Sequence, residues 1–215
     1  MARSTDIKTG LVRASFVQNL FKARAAEEGQ TPKYGCTLLI PKTDSTTLTA
    51  LQNAIIEACV AASWGDEAKI RTMIENGAIK LPVLNGDGPQ GVSKKTGDRH
   101  PGFEGHFFIR ASSGENYPPQ VVDENVQKIA TNDPSRLKSG DYGYAVVNAF
   151  TWDHPKTGKG VTFNIGAFQK IKSGDSLGGG GGSADPSQFF KPETVAGEKA
   201  PDETKGGAGA GGLFG

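Results

Sequence analysis

At 215 residues the chain has room for one domain, or one domain with an appendage, and its 24 Lys and Arg against 23 Asp and Glu argue at first against a polyanionic partner. No stretch approaches the roughly 18 apolar residues of a membrane-spanning helix, and the opening Met1-Ala2-Arg3-Ser4-Thr5-Asp6 lacks the apolar region of a secretory signal. Cys36 and Cys59 sit in apolar stretches and read as buried, reduced thiols of a cytoplasmic protein, with a disulfide as the alternative.

In chain order, Ile7 to Phe21 reads as a long strand with partial alternation, and the charged residues 22–33 as a loop. Tyr34 to Ile40 is a second strand, ended by Pro41. Asp44-Ser45-Thr46-Thr47 offers N-cap side chains, and Leu48, Leu51, Ile55, Ile56, Cys59 and Ala62 follow at three-to-four spacing, so 45–62 is the best helix. A weaker helical stretch covers Glu67 to Asn76, with Gly77 as its stop. Residues 85–102 read as loop. Phe103 to Ser112 reads as a strand, with Phe103, Phe107 and Ile109 alternating against Glu104, His106 and Arg110. Residues 113–140 are mostly turn, with a short strand near Gln120-Val121-Val122. Tyr142 to Trp152, a turn over 153–159 and Gly160 to Ile171 form a long hairpin. This pattern predicts a mainly β fold: an OB-fold-like five-stranded antiparallel barrel with an inserted helix and long loops.

Composition breaks after Lys172. Residues 173–215 hold 13 of the 30 glycines and few large apolar side chains, too few to offset the entropy of ordering them. The expectation is a domain over 1–172 and a disordered, Gly-rich, mildly acidic tail over 173–215. The same cut separates the charge into +4 for the body and −3 for the tail. The overall neutrality therefore averages two unlike parts.

Motifs of catalysis fail on context. Gly86-Asp-Gly88-Pro-Gln-Gly91 matches a dinucleotide fingerprint literally, but no helical period follows it to meet a pyrophosphate. His100, His106 and His154 make no metal-ligand spacing with the cysteines. No nucleophile or acid/base setting is recognisable, so the chain reads as non-enzymatic, with no cofactor and no metal. Asp141-Tyr142-Gly143-Tyr144-Ala145-Val146-Val147 is a near match to the aromatic strand of RNA-recognition modules, without its leading basic-glycine pair.

The hairpin offers a binding face. With Trp152 opposite Gly160, Phe150 meets Thr162, Asn148 meets Asn164, Val146 meets Gly166 and Tyr144 meets Phe168. One face then carries Tyr144, Asn148, Phe150, Trp152, Thr162, Asn164, Phe168 and Lys170. The other is wholly apolar, as a barrel interior needs. Aromatics mixed with amides suit base stacking on a single strand. The stacking candidates are Tyr144, Phe150, Trp152 and Phe168, with Asn148, Asn164 and Lys170 as polar partners. Lys94, Lys95, Arg99, Arg110, Lys156 and Lys159 are the phosphate candidates, joined by Lys138 and His154. The competing structural reading is that the aromatics cover the underside of the helix, and that the turn lysines are merely solvated.

Ser139-Gly140-Asp141-Tyr142 through Asn148 and Asn164 through Asp175, with Ala14-Ser15-Phe16, the Tyr34-to-Pro41 strand and the helix after it, resemble bacteriophage single-stranded-DNA-binding proteins with an OB-fold. The resemblance covers most of 7–177. It implies a core that coats single strands during phage DNA replication and recombination in the host cytoplasm. It also implies a tail that recruits replication proteins and competes with DNA for the basic groove. The tails of such proteins are strongly acidic and end on an aromatic; this one departs from that, and Leu213 and Phe214 are its candidates for partner binding. An RNA-binding module and a phage structural or interaction protein stay open as alternatives, as does the oligomeric state, monomer or dimer.

Overall fold

The computed structural model describes residues 2–177 except 26, 132, 134 and 135. Its contacts divide the chain into a unit over Met1–Gly179 and one over Gly180–Gly215. The second unit, with Leu213 and Phe214, lies outside the described residues.

The described elements are β1 (Ile7–Lys8), β2 (Val12–Ser15), β3 (Lys33–Pro41), α1 (Ser45–Ala61), α2 (Glu67–Glu75), β4 (Ile79–Lys80), β5 (Val83–Asn85), β6 (His106–Gly114), β7 (Gln120–Val122), β8 (Tyr142–His154) and β9 (Gly158–Lys172). Single 3-10 turns stand at Val17–Leu20 and Pro89–Gly91. The fold is thus mainly β, with two α-helices among the described residues rather than one inserted helix. The expected first strand ends at Ser15, where Phe16 enters the left-handed region and the chain coils into a 3-10 turn.

β8 pairs with β2, β2 with β3, β3 with β6, β6 with β9, and β9 again with β8, so the pairings return to their starting strand. β1 continues the β2 edge of β8, β5 adds to β6, and β4 and β7 add to β9. The sheet is mixed, which corrects the all-antiparallel expectation: β9 runs parallel to β4, β6 and β7. A parallel pair needs a long crossover, and between β6 and β9 the chain supplies one that includes β7 and all of β8.

Inward-facing side chains of β3, β6, β8 and β9 form one apolar core with α1, including Leu38, Ile109, Val147, Phe163, Ile165, Leu51 and Ile55. Burial of each such side chain contributes about 1.5–3 kcal/mol. α1 is fixed at its start by Asp44, which accepts from the Thr47 backbone N–H at 3.0 Å. The Thr47 hydroxyl in turn accepts from the Gly10 N–H at 2.8 Å, tying the helix to the β1–β2 link.

The hairpin register holds near the turn and slips farther from it. Trp152–Gly160, Phe150–Thr162 and Asn148–Asn164 pair as the sequence predicts. Beyond Val147–Ile165 the next pair is Val146–Ala167, leaving Gly166 without a partner as a bulge. One extra residue inverts the inside–outside alternation of the rest of β9. Phe168 therefore pairs with Ala145 and points into the core, fully buried, while Tyr144 pairs with Gln169.

Candidate nucleic-acid interface

On β3, Cys36, Leu38 and Ile40 belong to the core, so Gly35, Thr37 and Leu39 face outward. Their partners across the ladder are Ser112, Arg110 and Phe108. Half of this outer surface is roofed: Leu39 and Phe108 join Phe103 and Leu177 in a second apolar cluster. The other half is an open groove of about 560 Å³, floored by Gly35, Thr37, Arg110 and Ser112. Gly35 leaves no room for a side chain, since a Cβ there would stand 2.6 Å from the Ala111 carbonyl oxygen. The floor is flat for that reason.

A relay of rings builds the groove's wall. Phe108 and Phe103 are buried and meet at a tilt of 59°, with ring centres 4.8 Å apart. His100 leans on Phe103 at 5.1 Å, and Phe16 meets His100 edge-on at 5.6 Å and 86°. Phe16 is 43% exposed at the far end. Its φ of 56° and ψ of 37° are left-handed, a conformation costing a non-glycine residue about 1–2 kcal/mol. An exposed aromatic held at that cost, by a ladder rooted in an apolar cluster, is positioned as a stacking surface is.

Three cations border the same groove, Arg24, Lys33 and Arg110, and among the described residues no carboxylate lines it. Arg24 and Lys33 exchange backbone hydrogen bonds of 2.9 and 3.0 Å, so two like charges stand directly opposite each other. Such a pair destabilises a two-stranded ladder unless an anion lies between. Arg110 is exposed, its guanidinium carbon 5.5 Å from the centre of the Phe108 ring.

Of the sequence candidates, Arg110 lies in this groove, and Lys94 and Lys95 stand exposed on the small Val92–Arg99 hairpin that leads into His100. Phe16, Tyr34, Arg24, Lys33 and His100 are groove residues that the sequence reading missed. Tyr144, Phe150 and Trp152 stay half-exposed on the outer face of β8, outside the groove, and none packs on the core under α1. Lys8 covers the Tyr144 ring at 4.2 Å. Asn164 is half-buried opposite Asn148, Lys156 is exposed on the hairpin turn, and Lys159 lies 5.0 Å above the Trp64 ring.

Five candidates are engaged internally, among them Lys138, whose ammonium pairs with Asp141 at 3.1 Å and donates to the Gly174 carbonyl. Phe168 is core, because of the Gly166 bulge. Asn148 is 5% exposed, and its amide donates to Asp6 beside β1. Arg99 donates to the carbonyls of Gly86 and Asp87 and so clamps the 85–102 segment. Lys170 is held by the buried Asp141 at 3.1 Å and donates to the Arg136 carbonyl at 2.6 Å. Asp141 also accepts from the Lys138 and Gly174 backbone N–H groups. Burial alone would raise its carboxyl, but these hydrogen bonds and the Lys138 and Lys170 ammonium groups outweigh that and hold it below the usual carboxylate range.

The 85–102 segment is ordered rather than a free loop. Asp87 pairs with Lys42 and accepts from the Gly105 N–H at 2.9 Å, and among the described residues no α-helix follows Gly91. Residues 173–177, assigned to the tail by composition, are fastened to the body: Arg13 donates to the Asp175 carbonyl at 2.7 Å, and the Leu177 N–H donates to Ser139 at 2.8 Å. Among the described residues no cluster of His, Cys, Asp and Glu could hold a metal, and no helix is long and apolar enough to cross a membrane.

Solved structures share this fold. The single-stranded DNA-binding protein from bacteriophage Enc34 in complex with ssDNA is 23% identical, with a TM-score of 0.58 over 80% of this chain and 89% of that one. A C-terminal truncation of the Enc34 protein gives 24% identity and a TM-score of 0.56, over 80% and 87%. The gp2.5 single-stranded DNA binding protein encoded by bacteriophage T7 gives 12% and 0.53, over 91% and 100%. No curated protein matches the chain. The family model described as the ssDNA-binding protein of Enterobacter phage Enc34 matches residues 5–199, nearly the whole chain, which therefore belongs to that family.

Proposed function

We propose that the protein is a non-enzymatic, largely sequence-independent binder of single-stranded DNA, which coats and protects single strands during phage DNA replication and recombination in the host cytoplasm. The closed circuit of β2, β3, β6, β9 and β8 supports an OB-type barrel, whose ligand face is the pair of strands equivalent to β3 and β6. The observation that carries the reading is the groove on that face: Phe16, Tyr34 and His100 beside Arg24, Lys33 and Arg110, with no acid among the described residues that line it. Stacking contributes about 1–3 kcal/mol per base without regard to sequence, and the cations track the backbone.

Filter binding of the full chain to DNA and RNA oligonucleotides of one sequence tests this. Tighter retention of the DNA at low salt, lost in a combined Phe16→Ala and Arg110→Ala variant, is expected. Equal or tighter retention of the RNA favours the RNA-binding alternative, because the 2′-hydroxyl is what separates the two ligands at a given site. No retention of either favours a structural or interaction protein. Recruitment of replication proteins through Leu213 and Phe214 remains part of the proposal. It fails if deleting 206–215 leaves both the partner interactions and the DNA affinity unchanged.

A further inference from the structure

The two tryptophans of the chain line one cleft, and it is not the groove. Ala61, Ala62, Trp64, Thr151, Trp152 and Asp153 enclose about 410 Å³ between the end of α1 and the end of β8. Trp64 follows α1 through a turn in which Ser63 holds a left-handed φ of 59° and the Trp64 N–H reaches back to Cys59 at 3.2 Å. Trp152 lies over Gly160: a Cβ there would stand 2.5 Å from the indole Cε2. Lys80, beside Gly160 on β4, brings its ammonium to 5.9 Å from the Trp152 ring centre, and Lys159 brings its own to 5.0 Å from that of Trp64. Among the described residues Asp153 is the carboxylate that lines the cleft, where it stands opposite Lys159 in the hairpin, and no ion pair holds Lys80.

The register joins this cleft to the groove. Ala111 and Phe163 pair in parallel and both point inward, so Arg110 and Thr162, one step back on each strand, sit side by side facing out. Gly160 is two residues further along β9 on the same outer face. At ~4.8 Å between strands and ~3.3 Å per residue, Gly160 is roughly 8 Å from Arg110. The exposed Thr162 stands between them on β9, and the 81–82 link carries the chain from Lys80, beside Gly160, to Val83, beside Ile109.

We infer that a single strand of DNA leaves the groove across Thr162 and is held a second time in the Trp64–Trp152 cleft, with a base stacked on Trp152 and a phosphate on Lys80. The inference rests on the proposed function and extends it by a subsite. It also makes intrinsic tryptophan emission a reporter of the cleft alone, since neither tryptophan lines the groove.

The test titrates the full chain with labelled oligothymidylates of about 4 and about 16 nucleotides, the limits of site size for one such barrel. Label anisotropy and tryptophan emission are read together. The short strand is expected to bind without quenching and the long one to bind with it. Trp152→Leu should weaken the long strand about tenfold and leave the short one unchanged. Lys80→Ala, at an exposed position, should lower the salt dependence for the long strand only. Binding of the long strand with unquenched tryptophans overturns the inference and leaves the proposed function standing. So does a Lys80→Ala variant whose affinity and salt dependence for the long strand match the parent's. No anisotropy change at either length overturns both.

Discussion

Phe16 meets His100 edge-on, with ring centres 5.6 Å apart, and that contact joins a residue at the end of β2 to a segment more than eighty residues later in the chain. Through His100 the ring is braced against Phe103 and Phe108, so an exposed aromatic inherits the rigidity of a buried cluster. A stacking surface fixed in advance loses less entropy when a base arrives.

Replacing Phe16 separates binding from folding. Phe16→Gly removes a ring that is 43% exposed and relieves a left-handed φ, while adding freedom to the unfolded chain. These effects offset, so urea midpoints should place the stability change within about 1 kcal/mol. Affinity for oligothymidylate should fall by about 1–3 kcal/mol, the contribution of one stacked base. Equal affinity in the variant would remove Phe16 from the interface.

Arg110, Arg24 and Lys33 each make a separable contribution to salt dependence. A single strand releases about 0.7 of a counterion per neutralised phosphate. Arg110→Ala should therefore reduce the slope of log affinity against log salt by about 0.7, and Arg24→Ala should do the same. Arg99→Ala should leave the slope unchanged, because its guanidinium is spent on the Gly86 and Asp87 carbonyls. Binding isotherms across a salt series check all three.

The hairpin from Trp152–Gly160 to Asn148–Asn164 and the α1 helix were legible because each is a local pattern, alternation in one case and three-to-four spacing in the other. The Gly166 bulge was not, since alternation carries no mark for one inserted residue, and its cost was to send Phe168 and Lys170 to the wrong face. The groove was illegible for a different reason. Its parts, Phe16, Tyr34, His100 and Arg110, come from four separate stretches, and Phe16 read as one more apolar residue of a strand until its backbone was seen to be left-handed. Charge gave a partial signal: the +4 body was expected, but which of its cations stay free depends on carbonyls and carboxylates brought together only by folding.

Leu177 should matter to DNA although it does not itself line the groove. It is 8% exposed and packs with Leu39, Phe103 and Phe108, under the ring relay that ends on Phe16. Leu177→Ala should cost about 2–3 kcal/mol of stability by leaving a cavity. It should also raise the dissociation constant severalfold at temperatures where the variant is fully folded, and Leu177→Met, which conserves volume, should restore most of both. Loss of stability with unchanged affinity would confine Leu177 to the fold.

The two thiols should be inert in the native protein. Both cysteines are free, and burial pushes the Cys36 thiol up to about 12 and the Cys59 thiol up to about 11. The thiolate is the reactive form, and an unfolded cysteine has a pKa near ~8.5. At pH 8–9 an alkylating reagent should therefore modify the urea-unfolded chain quickly and the native chain only at its rate of opening. Mass spectrometry of the two samples reads the difference. Rapid native labelling at Cys36, which borders the groove, would show that the groove floor opens.

Asp141 sets an acid limit on the body. Its carboxylate is fully buried, pairs with Lys138 and Lys170 at 3.1 Å each, and accepts from the Gly174 N–H, so it anchors the segment that delivers Leu177. Its folded pKa is depressed below the ordinary value of about 3.9. Its contribution is thus fully present above that ordinary value and is lost as pH falls through the folded one. Asp141→Asn removes the charge that both ammonium groups face and weakens the bonds from two backbone N–H groups, at a cost of about 1.5–3 kcal/mol near neutrality. Because the variant has no carboxylate to protonate there, the gap between the two proteins should narrow as the pH drops below about 4. Urea midpoints at pH 7 and in that acid range measure it, and a gap that stays constant would mean that Asp141 acts through its shape and not through its charge.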